Sequence, residues 1–177
     1  FKFYLSLVAV AIAIVAIDLW QRSDYDFFEI AQYTSFQVVS ILTTTGYGTA
    51  DYEQWGGLSQ IVLFVLMFFG GCAGSTGGGM KIIRIVVLIA FCRAELRRLV
   101  HPQAVLPVRV GERVIPREIA ATITGFFLIY IILFVLGTMC MSALGLDFET
   151  AMGSVVATIS NIGPGLGGTI GPSGNFS

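Results

Sequence analysis

The residues best suited to chemistry in this sequence are Thr44-Thr45-Gly46-Tyr47-Gly48, flanked by Thr43 and Thr49. Their order is hydroxyl, β-branched, glycine, aromatic, glycine. A potassium ion entering a narrow passage must shed its water, and the wall must supply oxygens in replacement; rings of backbone carbonyls do this. Glycine reaches positive φ freely, which lets successive carbonyls turn to one side of a strand. Threonine adds a hydroxyl at the inner end, and Tyr47 is expected to pack outward and hold the strand. A helix ending just before Thr44 would aim its C-terminal carbonyls, the negative end of its dipole, along the same line. By itself the run would equally suit an ordinary glycine turn between two helices, so its surroundings decide.

Those surroundings repeat. Phe28-Glu29-Ile30-Ala31 returns as Phe148-Glu149-Thr150-Ala151 after 120 residues, and Val38-Val39 returns as Val155-Val156 after 117. The second copy ends in Ser160-Asn161-Ile162-Gly163-Pro164-Gly165-Leu166-Gly167-Gly168. Gly163 corresponds to Gly46, while Pro164 replaces Tyr47, keeping a carbonyl but fixing φ. The two loops are therefore not equivalent. Each copy follows an apolar run and an acidic link, so the unit is span, short helix, loop, second span. Residues 1–92 make one whole unit, 93–117 a basic linker, and 118–177 the front of the next. A unit and a half cannot encircle an ion, so further copies must come from other sequence or other subunits.

The elements that must position these loops are set by hydropathy. Of 177 residues, 55% are hydrophobic and 12% charged, against about 25% charged in a soluble domain. The mean hydropathy is +0.84. Phe3 to Leu19 is long enough to span a bilayer, and Ile119 to Leu144 is a second clean span. Residues 30–43 are too short to span but suit a re-entrant helix. Leu58 to Cys92 as one helix would be about 52 Å long. It is interrupted at Gly70-Gly71-Cys72-Ala73-Gly74-Ser75-Thr76-Gly77-Gly78-Gly79, where six glycines should unwind it. Unwound backbone at membrane depth is tolerated only inside protein or along a water-filled cavity, so this loop belongs on the pore side. Arg93, Arg97, Arg98, Arg109, Arg113 and Arg117 crowd one segment, whereas Asp18, Asp24, Asp26, Glu29, Asp51, Glu53, Asp147 and Glu149 fall in other links. That segregation marks two faces of a bilayer, with the arginines cytoplasmic. The first run is expected to be a membrane helix rather than a cleaved signal.

Several other features carry less. Lys81 and Arg84 lie three apart, which on a helix is one face, and are candidates for contact with the loop or a regulator; the plainer alternative is that they snorkel to the surface. Gly74 to Lys81 fails the phosphate-loop pattern because Met80 intervenes and Ile82 follows the lysine. Gly163, Gly165 and Gly168 match a dinucleotide pattern but follow no strand. Cys72, Cys92 and Cys140 have no metal or disulfide spacing and are expected to fill space between helices. His101, the single histidine, lies in the basic segment with the helix breakers Pro102, Pro107 and Pro116. Asn175-Phe176-Ser177 matches a glycosylation sequon by coincidence. Nothing calls for a cofactor, nucleic acid or catalysis, so an enzyme is not expected.

TTTGYGT, GGCAGSTGGGMK and SNIGPGLG together resemble the Trk/Ktr/HKT superfamily of potassium transporters, over essentially the whole chain. The resemblance implies an all-α integral membrane fold of potassium-channel-like repeats, each a membrane helix, a re-entrant pore helix with filter loop, and a membrane helix. This chain resembles the third of four repeats and the front of the fourth. The resemblance implies filter positions at Thr44, Thr45, Gly46, Tyr47, Asn161, Ile162, Gly163 and Pro164. It implies a gate formed by Gly70, Gly71, Gly74, Ser75, Thr76, Gly77, Gly78 and Gly79 beneath the filter. It further implies potassium as substrate, uptake across a bacterial inner membrane with an external filter entrance, a homodimer, and a cytoplasmic nucleotide-binding regulatory ring of the TrkA type. Sodium- or proton-coupled symport and a weakly selective cation channel are the alternatives; Asp18 is the one acidic candidate for coupling.

Overall fold

The computed structural model describes residues 2–23, 25–72, 74–101, 107–111 and 113–167. Pro102, Gly168 and the sequon at residues 175–177 lie outside them. Helix α1 covers Lys2–Arg22 and α2 covers Phe27–Leu42. A 3-10 turn at Tyr52–Gln54 leads to α3, Gly57–Met67. Strands β1 (Phe69–Gly70) and β2 (Met80–Lys81) flank the glycine-rich loop and precede α4, Ile82–Val100. Strands β3 (Val108–Val110) and β4 (Arg113–Ile115) form a hairpin before α5, Arg117–Ala143, and α6, Phe148–Ile159.

Among the described residues, two helices, α1 and α5, are long and apolar enough to cross a membrane. At 1.5 Å per residue they extend about 31 and 40 Å, against a hydrocarbon core of about 30 Å. In α5 only Ala120 and Tyr130 are buried, and Leu128, Ile132, Leu133 and Leu136 are exposed. A helix apolar on every side needs lipid or protein around it. The packed core lies elsewhere. Val15 of α1, Val38, Ile41 and Leu42 of α2, and Leu63 and Met67 of α3 join Val156, Ile162 and Leu166 from the C-terminal part. Phe64 of α3 and Phe68, its C-cap, pack on Phe134 of α5, tilted at 6.5 Å and edge-on at 5.2 Å between centroids.

The expected break in the long apolar run occurs between α3 and α4. Strands β1 and β2 pair in parallel, Phe69 with Met80 and Gly70 with Lys81. The chain thus returns alongside its starting point and resumes in its former direction. The basic segment is more ordered than a linker. Arg93, Arg97 and Arg98 extend α4, because Ala94, Glu95 and Leu96 between them are good helix formers. Residues 108–110 pair antiparallel with residues 113–115, and Gly111, directly after the first strand, has φ 63°. Cys72, Cys92 and Cys140 correct a further expectation: all three are exposed, and Cys72 and Cys140 line open clefts, beside Tyr4 of α1 and Val155 of α6 respectively, instead of filling a packed interface.

Asp18, 4% exposed near the end of α1, joins the first helix to the third. Its Oδ2 accepts the Ser59 backbone N–H at 3.1 Å and the Ser59 hydroxyl at 2.6 Å. Arg22 Nε donates to Oδ1 at 2.9 Å. Ser59 lies in the first turn of α3, whose N-cap, Gly56, has no side chain, so a carboxylate from another helix supplies the missing acceptor. Replacing Asp18 by alanine should cost about 2 kcal/mol, because a buried amide and hydroxyl lose an ionised acceptor; Ser59→Ala should cost less. Melting of the full-length protein in detergent checks this, with Asp18→Ala unfolding several degrees below Ser59→Ala.

Candidate functional site

Helix α2 ends at Leu42 with Thr43 as its C-cap, and the chain leaves it in a defined way. The Thr44 N–H donates to the Ile41 carbonyl and the Thr45 N–H to the Ser40 carbonyl, both at 3.0 Å. This bond pair is a Schellman cap, which needs a left-handed residue directly after the C-cap. That residue is usually glycine; here it is Thr44, φ 57°. A β-branched residue is an outlier there, and such strain costs on the order of 1–3 kcal/mol. The following residues fold back on the helix. The Ser40 hydroxyl donates to the Tyr47 carbonyl at 2.7 Å, and Thr45 Oγ1 lies 3.3 Å from the Ser40 and Thr43 hydroxyls. Farther along, Gln37 Nε2 donates to the Ala50 carbonyl at 3.0 Å.

Helix α6 ends the same way. Asn161 donates to Thr158 at 3.1 Å and Ile162 to Ala157 at 2.9 Å, with Asn161 at φ 53°. Every donor and acceptor in this cap lies 117 residues beyond its counterpart in the first. The N-termini differ: α2 starts after Asp26 and has 16 residues, whereas α6 starts after Asp147 and has 12. The four-residue difference is about one helical turn, so the C-terminal ends correspond while the approaches do not. Asn161 is the milder solution, since asparagine tolerates left-handed backbone better than threonine.

The two loops meet each other and the glycine-rich loop. A Cβ on Gly46, φ 72°, would overlap the Ile162 carbonyl oxygen and stand 2.9 Å from Pro164 Cδ. A Cβ on Gly78 would overlap the Ser160 carbonyl oxygen. Backbone therefore touches backbone at both places, and only glycine fits. The Gly78 N–H donates to Thr44 Oγ1 at 3.1 Å, and Gly77 lies against the same hydroxyl. Gly70 sits in β1, Gly71 is buried beside it, and Gly79 (φ 63°) turns the chain into β2. Gly74, Ser75 and Thr76 form the exposed tip. Lys81 Nζ reaches back to the Gly77 carbonyl and, at 3.1 Å, to Ser75 Oγ. Ile162 is buried in the core, while Asn161 and Gly163 are exposed and Pro164 is half-buried.

Two local expectations need correction. Lys81 and Arg84 do not share a helix face, because Lys81 precedes α4 and turns toward the loop. Arg84 instead lies 4.2 Å over the Phe126 ring of α5. Nor is Tyr47 packed: its residue is 73% exposed, and the loop is held through its carbonyl by Ser40. The anchors that motif reading missed are Gln37, Ser40, Tyr52 and Tyr130. The Tyr52 hydroxyl donates to the Gly165 carbonyl at 2.7 Å, and Tyr130 Oη lies 2.7 Å from Ser160 Oγ. Burial, reinforced by the carboxylates of Glu53 and Asp51, pushes the Tyr52 phenol up, so it remains a donor at neutral pH. Polar side chains inside otherwise apolar helices are the signal that could have found Gln37, Ser40 and Tyr130.

Among the described residues, two long apolar helices and two capped short helices ending in glycine-lined loops make up a mostly helical fold. Residues 23–176 match the family described as TrkH, cation transport protein. The chain is 43% identical to the Trk system potassium uptake protein TrkH of Halomonas elongata, over 94% of this chain and 34% of that protein. It is 40% identical to the protein of the same name in Escherichia coli, over 94% and 35%. Its fold superposes on the crystal structure of the potassium transporter TrkH from Vibrio parahaemolyticus with a TM-score of 0.86 and 36% identity, over 94% of this chain and 36% of that one. The chain belongs to the TrkH cation transport family, and so is a membrane protein. It spans about a third of the length of these relatives.

Gly78→Ala should push the glycine-rich loop off Ser160, raising hydrogen exchange over residues 74–79 while leaving α2 protected. Thr44→Val, which removes the acceptor of the Gly78 N–H, should loosen the same loop by about 1 kcal/mol. At the other end of α6, Asp147 accepts the Thr150 N–H at 3.0 Å, and this bonding to Thr150 holds its carboxyl below the usual carboxylate range. Its folded-state pKa is depressed, so its contribution is complete above the unfolded value and is lost as pH falls through the folded one. The melting difference between wild type and Asp147→Ala should therefore be constant from neutral pH to about pH 5 and shrink below about pH 4.

Proposed function

We propose that this chain forms part of a potassium uptake pathway, with Thr44, Thr45, Gly46, Tyr47, Asn161, Ile162, Gly163 and Pro164 lining the ion path. The residue 70–79 loop gates it from below. The observation that carries this reading is the convergence of two matched helix C-terminal ends on one glycine-rich segment. The negative ends of two helix dipoles favour a cation nearby, and backbone carbonyls at glycine positions suit a dehydrated monovalent ion. The relatives' names, potassium uptake proteins, agree with this substrate. In this reading α2 and α6 are re-entrant pore helices, and α1 to α4 are the third of four repeats in the complete protein. The arginines of α4 and the hairpin face the cytoplasm of a bacterial inner membrane, and the filter entrance faces outward. The complete protein acts as a homodimer regulated by a cytoplasmic nucleotide-binding ring of the TrkA type. Lys81 holds the gate loop closed through the Gly77 carbonyl. Asp18, on which a coupled mechanism would rest, is engaged by Ser59 and Arg22, so uncoupled flux is the preferred reading.

The test is rubidium uptake into liposomes carrying the full-length protein, competed by potassium, sodium and lithium. Inhibition by potassium but not by equal sodium is expected; equal inhibition by sodium would remove the selective filter. Gly46→Ala should lower flux or blunt that preference, since its Cβ meets the Ile162 carbonyl. Lys81→Met should raise basal flux roughly fivefold, the factor that corresponds to one lost hydrogen bond of about 1 kcal/mol. Unchanged flux in Lys81→Met would detach that residue from gating.

A further inference from the structure

Arg93 and Arg97 stand one turn apart on α4, and Arg109 approaches them from β3. With Ala90, Ala94 and Pro107 they line a cavity of about 280 Å³. The site is built: Val108, 3% exposed, anchors the hairpin whose β3 packs on α4, and this holds Arg109 beside the helix. Among the described residues the charge there is unbalanced. Glu95 lies two residues from Arg93 and from Arg97, on the opposite side of the helix. It is bonded to Arg98 at 3.0 Å and Arg117 at 3.4 Å. No carboxylate pairs with Arg93, Arg97 or Arg109 among the described residues.

The cavity also sits at a compositional boundary. Helix α4 is apolar from Ile85 to Cys92 and basic from Arg93 onward, so the cavity straddles the level at which lipid chains give way to headgroups. Ile89, 37% exposed and one turn before Arg93, places apolar surface on the bilayer side of the two helix arginines. Guanidinium groups bind phosphate oxygens through paired N–H donors, and basic pockets at the ends of membrane helices suit anionic headgroups. We propose that this cavity binds the headgroup phosphate of an anionic phospholipid, with the apolar residues 85–92, Ile89 foremost, against its acyl chains. An acidic protein segment would match the charge but not the apolar flank. Assignment to the cytoplasmic leaflet rests on the topology proposed above, whereas the binding itself does not.

The experiment is native mass spectrometry of the full-length protein in detergent, titrated with phosphatidylglycerol and with phosphatidylcholine. Wild type is compared with the triple variant R93Q/R97Q/R109Q and with R98Q, whose arginine is already paired. The triple variant should bind phosphatidylglycerol at least about tenfold more weakly, with phosphatidylcholine binding and melting temperature unchanged. R98Q should behave as wild type, and millimolar inorganic phosphate should not compete. Unchanged phosphatidylglycerol affinity in the triple variant would overturn the proposal, as would equal weakening in R98Q, which would mean diffuse surface charge. Competition by inorganic phosphate would make the cavity a free-anion site. Loss of the regulatory ring with lipid binding intact would make it a protein-docking surface. Rubidium flux is not the readout, so failure here leaves the proposed transport function standing.

Discussion

Backbone-to-backbone contact at Gly46 and Gly78 is the constraint on which the rest of this structure depends. Two loops and a third, glycine-rich segment approach so closely that no side chain fits between Gly46 and the Ile162 carbonyl, or between Gly78 and the Ser160 carbonyl. Such an approach places carbonyl dipoles from separate segments in one small volume. It is stable only if each segment is held independently. Helices α2 and α6 do this through matched caps that fix where the chain emerges, and the two-residue pairing of β1 with β2 closes the base of the third segment.

The left-handed conformation of Thr44 acquires its meaning in that setting. Glycine would adopt it without strain, but glycine has no hydroxyl to receive the Gly78 N–H. The strain thus accompanies a contact between one loop and the segment beneath it, and the bonds from Ser40 and Ile41 hold the residue in place. Asn161 occupies the corresponding position, and there the contact runs between the Ser160 carbonyl and the Gly78 backbone. Similar caps therefore support different chemistry on the two sides, in line with the different loop sequences that follow them.

Farther out, polar side chains in apolar surroundings join elements that hydrophobic packing alone would leave free to slide. Asp18 fixes the start of α3 to the end of α1. Tyr52 ties the return segment of the first loop to Gly165 of the second, and Tyr130 ties α5 to the end of α6. In lipid, burying apolar surface distinguishes poorly between one helix–helix arrangement and another, whereas an unsatisfied polar group costs several kcal/mol. These bonds consequently specify register.

Periodicity, glycine content and the repeated Phe-Glu and Val-Val pairs determine much of this architecture by themselves. They showed two long apolar helices, two short ones followed by glycine loops, and a break at residues 70–79, because each depends on local propensity and on the length of an apolar run. Residue type alone also suggested carbonyl chemistry at Gly46 and Gly163. Only the tertiary structure decided that Gly46 faces Ile162, that Gly78 rests on Ser160 and Thr44, and that Lys81 and Arg84 part company. It likewise decided that the basic segment carries a hairpin. These facts concern residues up to 116 positions apart, and their partners are ordinary serines, carbonyls and amides. Such groups carry no signature in a sequence until folding brings them within 3 Å of one another.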